Sequence, residues 1–151
     1  MRVYLPATLD ELDHLAADGG PRRAHAVTAA LRAALPDEDD EGWEFVAQLV
    51  AADESLAMLA DRPGVPRLRL VLAADVPDES VVPDADPDAD VTAVTVLSGV
   101  PADAVVCAHV DEPSAAADVV AAVAGDDAAV QRLEDRDLLW YDVSEFGRKV
   151  V

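Results

Sequence analysis

The stretch GWEFVAQLVAADESLAMLADRPGVPRLRLVL, residues 42–72, changes its hydrophobic period at the Pro-Gly turn in its second half. Between residues 42 and 60, apolar side chains recur three and four positions apart, as they do along one face of an α-helix. Between residues 67 and 72, leucines alternate with Arg67 and Arg69, which predicts a β-strand. A long amphipathic helix followed by a strand predicts a fold in which the helix packs on a sheet.

The predicted long helix has an acidic start and an apolar stripe. Residues 37–41 are all acidic, and carboxylates at a helix N-terminus are favoured by its exposed N–H groups and its macrodipole. We therefore interpret this run as the helix start rather than as a functional acidic cluster. The stripe that we expect to face the core contains Phe45, Leu49, Ala52, Leu56 and Leu59, widened by Trp43, Val46 and Val50.

Shorter elements surround this helix and strand. Thr8 and Glu11 have the spacing of a capping box, which predicts a helix with Leu9, Leu12, Leu15 and Ala16 on its apolar side. Further helices are predicted over residues 28–35, 114–124 and 126–135, and further strands over residues 2–5, 24–27, 91–97, 104–110 and 138–141. We expect one α+β domain, residues 1–151, with a mixed sheet of about five or six short strands packed against about four helices.

The composition combines strong acidity with a large apolar fraction. The chain has 31 Asp and Glu against 11 Lys and Arg, a net charge of −20, yet 52% of its residues are hydrophobic. Disordered acidic chains lack the apolar residues that offset the entropy cost of folding, so we expect this chain to fold. Ile and Asn are absent and Lys149 is the only lysine. We attribute the acidity to a high-GC bacterial genome, with adaptation to salt or to a cationic partner as the alternative.

The sequence disfavours several classes of protein. Direct nucleic-acid binding requires clustered Lys and Arg that neutralise phosphates, and this chain is acidic. No uncharged stretch reaches the ~18–20 apolar residues that span a bilayer, and residues 1–9 do not resemble a secretory leader. Cys107 is the only cysteine, which excludes an internal disulfide. We therefore expect a cytoplasmic protein that does not bind a membrane.

Four aspartates alternate with small residues and a proline shortly before residue 91, as at the start of a calcium loop. They are Asp84, Asp86, Asp88 and Asp90. A calcium loop also requires Gly at its sixth position and a bidentate Glu at its twelfth. Counted from the first aspartate, those positions hold Ala89 and Thr95. We interpret the segment as a solvated loop and predict no metal site.

One cluster has the residue types of acid–base chemistry. If residues 104–110 form a strand, Cys107, His109 and Asp111 project to the same face. We interpret them as core residues, with a buried neutral His109 that donates a ring N–H to Asp111 or to a backbone carbonyl. The alternative is a functional site. The chain has no phosphate-binding glycine loop, nucleophile elbow or metal-ligand spacing, so we predict no catalytic residue and no cofactor.

The arginines are concentrated in the first half of the chain. If they gather on one face, they form an anion-attracting patch on an acidic protein. The alternative, which we favour, is that each pairs with a nearby carboxylate. The residues concerned are Arg22, Arg23, Arg32, Arg67 and Arg69.

Four segments, taken together and in order, resemble an uncharacterised family of small acidic proteins from high-GC bacteria. They are MRVYLPATLDEL (residues 1–12), RLVLAADVP (69–77), SGVPADAVVCAHVDE (98–112) and LLWYDVSEF (138–146). The resemblance implies no activity, ligand or site residue. Residues 99–110 are also similar to part of some ADP-ribosyltransferase-like folds, but the His, Tyr and Glu set of those enzymes is not recognisable in matching strands.

Three functional hypotheses follow. The favoured one is a non-catalytic binding or adaptor domain with an unknown protein partner. The second is an enzyme or degenerate enzyme fold, loosely ADP-ribosyltransferase-like, that binds a small anionic metabolite near the early arginines. The third is a binder of basic proteins that imitates the charge of nucleic acid. A concave pocket with converging polar groups favours the second hypothesis, and rows of carboxylates spaced like phosphates favour the third.

Overall fold

Residues 1–15 and 19–146, the part of the chain that this computed structural model describes, form one seven-stranded sheet and four α-helices. The strands are β1 (Arg2–Ala7), β2 (Arg22–His25), β3 (Leu70–Asp75), β4 (Val81–Pro83), β5 (Ala93–Val96), β6 (Val105–Val110) and β7 (Leu139–Asp142). The α-helices are α1 (Ala29–Ala34), α2 (Asp40–Asp61), α3 (Ala116–Val123) and α4 (Asp127–Glu134). Single turns of 3-10 helix cover Leu9–Asp13, Asp78–Ser80, Ala102–Ala104, Pro113–Ala115 and Val143–Glu145.

The sheet has the strand order β4-β5-β2-β1-β3-β6-β7, and every neighbouring pair of described strands is antiparallel. The predicted α+β class is confirmed, with one strand more than the upper expectation. The sheet is antiparallel rather than mixed for a topological reason. The crossover through α2 joins two parallel strands, β2 and β3, but β1 lies between them and runs against both.

Helix α2 packs on one face of the sheet through small side chains. The fully buried positions of α2 are Ala47, Ala51, Ala52, Ser55 and Leu59. The predicted stripe was partly wrong, because Phe45 is 51% exposed and Leu49 is 40% exposed. The sheet places Tyr4, Val71 and Ala73 beneath the helix, so small helix residues let the two backbones approach closely while the larger apolar ones turn outward.

The opposite face of the sheet holds the largest apolar cluster. Val3, Leu5, Leu72, Val96 and Val110 are among its buried members, and the segments around Leu12, Leu15, Val100 and Phe146 pack over it. A third cluster joins the end of α2 to α3 and α4 through Leu59, Ala115, Val119 and Leu133. No described helix combines the length and the apolar character needed to cross a bilayer.

Several predicted boundaries shift in the structure. The strand expected over residues 67–72 begins only at Leu70, and a strand that was not predicted, β4, lies between it and the strand predicted over residues 91–97. The helix expected after Thr8 is a 3-10 helix, Leu9–Asp13, with the Glu11 carboxylate accepting a hydrogen bond from Thr8 N at 2.7 Å. Ala16, which was predicted on the apolar side of this helix, lies outside the described residues.

Candidate functional site

A cavity of about 620 Å³ lies on the sheet face opposite α2. Its size is within the range of roughly 300–1,000 Å³ that is usual for small-molecule sites. Leu5, Leu72 and Val105 come from three neighbouring strands and form its apolar floor. The rest of the described lining consists of Asp10, Glu11, His14, Leu15, Gly20, Pro21, Arg22, Arg62 and Val100.

Three elements bring the charged groups of the cavity together. Arg22 begins β2 and projects to the same side as Ala24, which is buried in the cluster beneath the cavity. The acidic residues and His14 belong to the 3-10 helix that follows β1 and to its end. Arg62 is the residue at which α2 ends. The alternation of β2 and the end of α2 thus place the guanidinium groups of Arg22 and Arg62 on the same concave surface as the acidic side chains of the 3-10 helix.

Hydrogen bonds hold both arginines in place. Arg22 donates from Nη2 to the Pro6 carbonyl at 3.0 Å, and its Nη1 lies 3.3 Å from Glu11 Oε1. Arg62 donates to Thr8 Oγ1 at 2.9 Å and to Asp10 Oδ2 at 2.6 Å. The hydrogen bond from the Thr8 hydroxyl, together with the Arg62 charge, holds the pKa of Asp10 below its usual value. Asp10 is therefore ionised at neutral pH, and the cavity carries fixed charges of both signs.

The early arginines do not gather on one face. Only Arg22 lies at the cavity, while Arg23 is 3.4 Å from Glu54 and Arg32 stacks over Trp43. Arg67 donates to the backbone carbonyls of Leu59, Arg62 and Val65, and Arg69 is buried against Asp111. The favoured alternative, pairing with nearby carboxylates, is confirmed for Arg22, Arg23 and Arg69.

The predicted cluster on β6 is divided in the structure. Cys107 and His109 share the α2-facing side of the strand, with 3.8 Å between Cys107 Sγ and His109 Nε2. Asp111 instead faces Arg69, accepting from its backbone N at 2.8 Å, from Nε at 3.0 Å and from Nη2 at 2.8 Å. The expected hydrogen bond from His109 to Asp111 was wrong, because the guanidinium and backbone N–H of Arg69 occupy that carboxylate.

The environment of the remaining pair on β6 favours the neutral forms of both side chains. Burial raises the pKa of the Cys107 thiol and lowers the pKa of the His109 imidazole. Both shifts favour the neutral form, whereas nucleophilic cysteines depend on the thiolate, commonly beside a cation. His109 is half-buried rather than enclosed, because β7, its neighbour on one side, is the edge of the sheet.

Comparison with known proteins gives one result. The family of unknown function DUF6912 matches residues 1–150. The chain belongs to this family. Searches of curated proteins and of solved structures find no match. The expected resemblance to an uncharacterised family is thus confirmed over nearly the whole length of the chain.

A second histidine of this DUF6912 chain, His25, lies in a buried network of hydrogen bonds that the sequence did not predict. His25 is 2% exposed, with Nδ1 2.8 Å from Thr92 Oγ1 and Nε2 2.5 Å from Glu54 Oε2. The hydrogen bond to His25, together with the nearby charge of Arg23, lowers the pKa of Glu54. These partners lie far apart in the sequence, so no local spacing marks them. Thr92 is fully buried, and the chain of contacts therefore ties α2 to β2 and β5 rather than facing a ligand.

The acidic loop of the DUF6912 chain is organised by its own backbone. The Asp84 carboxylate accepts from Asp86 N, that of Asp86 accepts from Asp88 N, and that of Asp90 accepts from Thr92 N, each at 2.9 Å. These side-chain-to-backbone hydrogen bonds form successive turns. Across residues 1–15 and 19–146, no three His, Cys, Asp or Glu side chains are arranged to hold a metal ion.

We expect His109 to make folding sensitive to mild acid. Its pKa in the folded protein lies below the usual 6.5, so the unfolded chain binds a proton at higher pH than the folded chain does. Stability is then retained well above pH 6.5 and falls as the pH drops through that value. Urea melts near pH 7 and pH 5 should show a smaller acid-induced loss for His109→Gln than for the parent. His14→Gln, at an exposed position, is the control, and an identical acid-induced loss in parent and His109→Gln contradicts the prediction.

Proposed function

We propose that this chain is a non-catalytic, cytoplasmic binding domain whose ligand is a small molecule with an anionic group, bound in the cavity opposite α2. The observation that carries the proposal is the convergence of two arginines, Arg22 and Arg62, above an apolar floor in one concave space. This is the feature expected of a protein that binds a small anionic metabolite.

The chemistry of the arginines supports an anionic ligand. A guanidinium has five N–H donors and binds carboxylate or phosphate oxygens in a planar, often bidentate arrangement. The described contacts of Arg22 are one hydrogen bond to a carbonyl and one ion pair, and those of Arg62 are two hydrogen bonds. Each guanidinium therefore has donors left for a ligand, in an orientation that its present partners already fix.

The lining also supports binding without catalysis. The described cavity residues include no Ser, Thr, Cys or Lys, and the carboxylates of Asp10 and Glu11 are paired with Arg62 and Arg22. Asp10, whose pKa is lowered, is a weaker base than an ordinary aspartate. Leu5, Leu72 and Val105 offer apolar contact to the uncharged part of a ligand. The proposed ligand therefore has a compact apolar body and one anionic group.

A ligand screen with matched variants tests the proposal. Thermal melts with a panel of small carboxylates and phosphate esters should identify compounds that raise the melting temperature, because a ligand of the folded state stabilises it by mass action. Calorimetric titration of each such compound should show at least about tenfold weaker binding to Arg22→Gln, about 1.4 kcal/mol, and to Val100→Trp, which places an indole ring in the cavity.

Arg32→Gln is the matched control, because Arg32 is also an arginine of the first half but stacks on Trp43 away from the cavity. It should bind the same compounds with parent affinity. The proposal fails if no compound of the panel binds, or if the compounds that bind are indifferent to Arg22→Gln and Val100→Trp.

A further inference from the structure

The edge strand β7 has one side without a strand partner. Within residues 1–15 and 19–146, β7 pairs with β6 alone, through Cys107–Asp142, Ala108–Tyr141, His109–Trp140 and Val110–Leu139. The N–H and C=O groups on its outer side therefore have no strand partner in this part of the chain. Such an edge is a template for another strand unless prolines, lysines or bulges protect it, and the sequence of β7, Leu-Trp-Tyr-Asp, contains neither proline nor lysine.

Large apolar side chains flank this edge on both faces of the sheet. Trp140 is 58% exposed and lies on the α2-facing side beside His109, while Leu139 is 41% exposed on the other side. At the opposite edge, β4 consists of Val-Val-Pro and is blunted by its proline. The two edges thus differ, and β7 is the one suited to accept a strand.

The charge around β7 is strongly negative. Residues 134–145 contain five acidic residues and one basic residue, Arg136. The Arg136 guanidinium already binds Glu112 at 2.5 Å and lies 3.4 Å from Asp118, so it does not compensate the acids near the edge. At the end of β7, hydrogen bonds from Ser144 lower the pKa of Asp142, which keeps a full negative charge there at neutral pH.

We propose that β7 binds an extended basic segment of another protein, which adds to the sheet as a further strand. Main-chain hydrogen bonds to the outer side of β7 supply affinity, and alternate side chains supply specificity. On the α2-facing side, Lys or Arg residues pair with Asp142 and stack on the exposed indole of Trp140, and on the other side apolar residues pack on Leu139. The segment therefore alternates apolar and basic residues.

Charge distinguishes this occupant from a second copy of the chain. Pairing of two β7 strands would bring two acidic 134–145 stretches together, on proteins that each carry a net charge of −20. Like charges placed opposite each other across neighbouring strands are destabilising. A basic segment reverses the sign of the same interaction. This surface lies apart from the cavity, so the inference goes beyond the proposed function and does not depend on it.

Fluorescence anisotropy with short labelled peptides tests the inference. One probe alternates lysine with valine, a second has the same composition in two blocks, and a third alternates lysine with valine but is N-methylated at every second residue. The alternating peptide should bind with the highest affinity and weaken as NaCl rises from about 0.05 M to about 0.5 M. The block and N-methylated peptides should bind at least about tenfold more weakly, because the block peptide cannot match its side chains to the two faces of β7 and the N-methylated peptide lacks N–H donors for the ladder.

Protein variants locate the site. Trp140→Thr and Asp142→Asn should each weaken binding of the alternating peptide, because the first removes the exposed indole and the second removes the charge while keeping an acceptor for Ser144 N. Leu97→Thr, at a 50% exposed leucine that follows β5, is the matched control and should bind like the parent. Circular dichroism of each variant shows whether it is folded.

Three results would overturn the inference. The first is no binding of the alternating peptide below about 1 mM, the weak end of the affinity scale. The second is equal binding of the alternating, block and N-methylated peptides, which would indicate charge attraction without strand addition. The third is a concentration-dependent dimer in sedimentation experiments that Trp140→Thr dissociates, which would assign the edge to a second copy.

Discussion

Replacing Asp111 by alanine is expected to lower the free energy of unfolding by about 3–5 kcal/mol, one of the two largest effects expected for this protein. Arg69 is 4% exposed and Asp111 is 3% exposed. The carboxylate accepts three hydrogen bonds from Arg69, whose Nη2 also donates to the Leu133 carbonyl at the end of α4. Without Asp111, a guanidinium remains buried with one carbonyl as its described hydrogen-bond acceptor.

Two further variants separate the charge from the packing. Asp111→Asn keeps an acceptor of similar shape but removes the charge. Its free energy of unfolding should therefore lie between that of the parent and that of Asp111→Ala. The double variant Arg69→Met with Asp111→Leu should recover part of the loss, because an apolar pair of similar volume can replace a buried ion pair, while the backbone N–H of residue 69 and the Leu133 carbonyl lose their partners. Denaturant melts measure all three, and a loss for Asp111→Ala below about 1 kcal/mol would show that water reaches the pair.

The second large effect is expected at Ser55, the one polar side chain among the buried residues of α2. Its hydroxyl donates to the Ala7 carbonyl at 2.7 Å and accepts from Leu70 N at 3.0 Å. Ala7 and Leu70 are paired at the end of the β1–β3 ladder. Ser55→Ala leaves one backbone acceptor and one backbone donor buried without this partner, each costing about 1–3 kcal/mol. We therefore expect a loss of about 2–6 kcal/mol in the free energy of unfolding.

Ser80→Ala is the matched control for this substitution. Ser80 also donates to a backbone carbonyl, that of Pro77 at 2.7 Å, but in an exposed turn. Water can replace the lost hydroxyl there, so the cost should stay within about 0.5 kcal/mol. Urea melts of both variants give the comparison. Equal losses for Ser55→Ala and Ser80→Ala would mean that burial does not increase the contribution of these hydrogen bonds to the free energy of unfolding.

Local periodicity predicted the elements of the fold better than it predicted how they pack. The period change within residues 42–72 correctly indicated a long helix and a following strand. The rotation of the helix about its axis was not predictable from hydrophobicity, because Phe45 and Leu49 are more hydrophobic than the alanines that the helix buries. The sheet instead needs close contact with Ala47 and Ala51. The antiparallel order also escaped prediction, since it depends on where β1 is inserted and not on the pattern of any strand.

The candidate site was less accessible to sequence reasoning for a related reason. The cavity unites Glu11, Arg22 and Arg62, residues of three elements that only the tertiary fold brings close. On β6 the alternation rule correctly placed Cys107 and His109 on one side. The rule was wrong for Asp111, which follows the last residue of the strand and whose carboxylate binds Arg69, just before β3. Alternation describes side-chain directions inside a strand and does not extend to its ends.

The insertion of β1 between β2 and β3 has a consequence for the order of events in folding. Tyr4 is paired with His25 on one side and with Ala73 on the other, so the central strand needs both a near and a distant partner. Contacts between distant segments slow folding, because the entropy cost of closing a long loop comes before the contact forms. On the ribosome, β1 emerges with one edge open until α2 and β3 have followed.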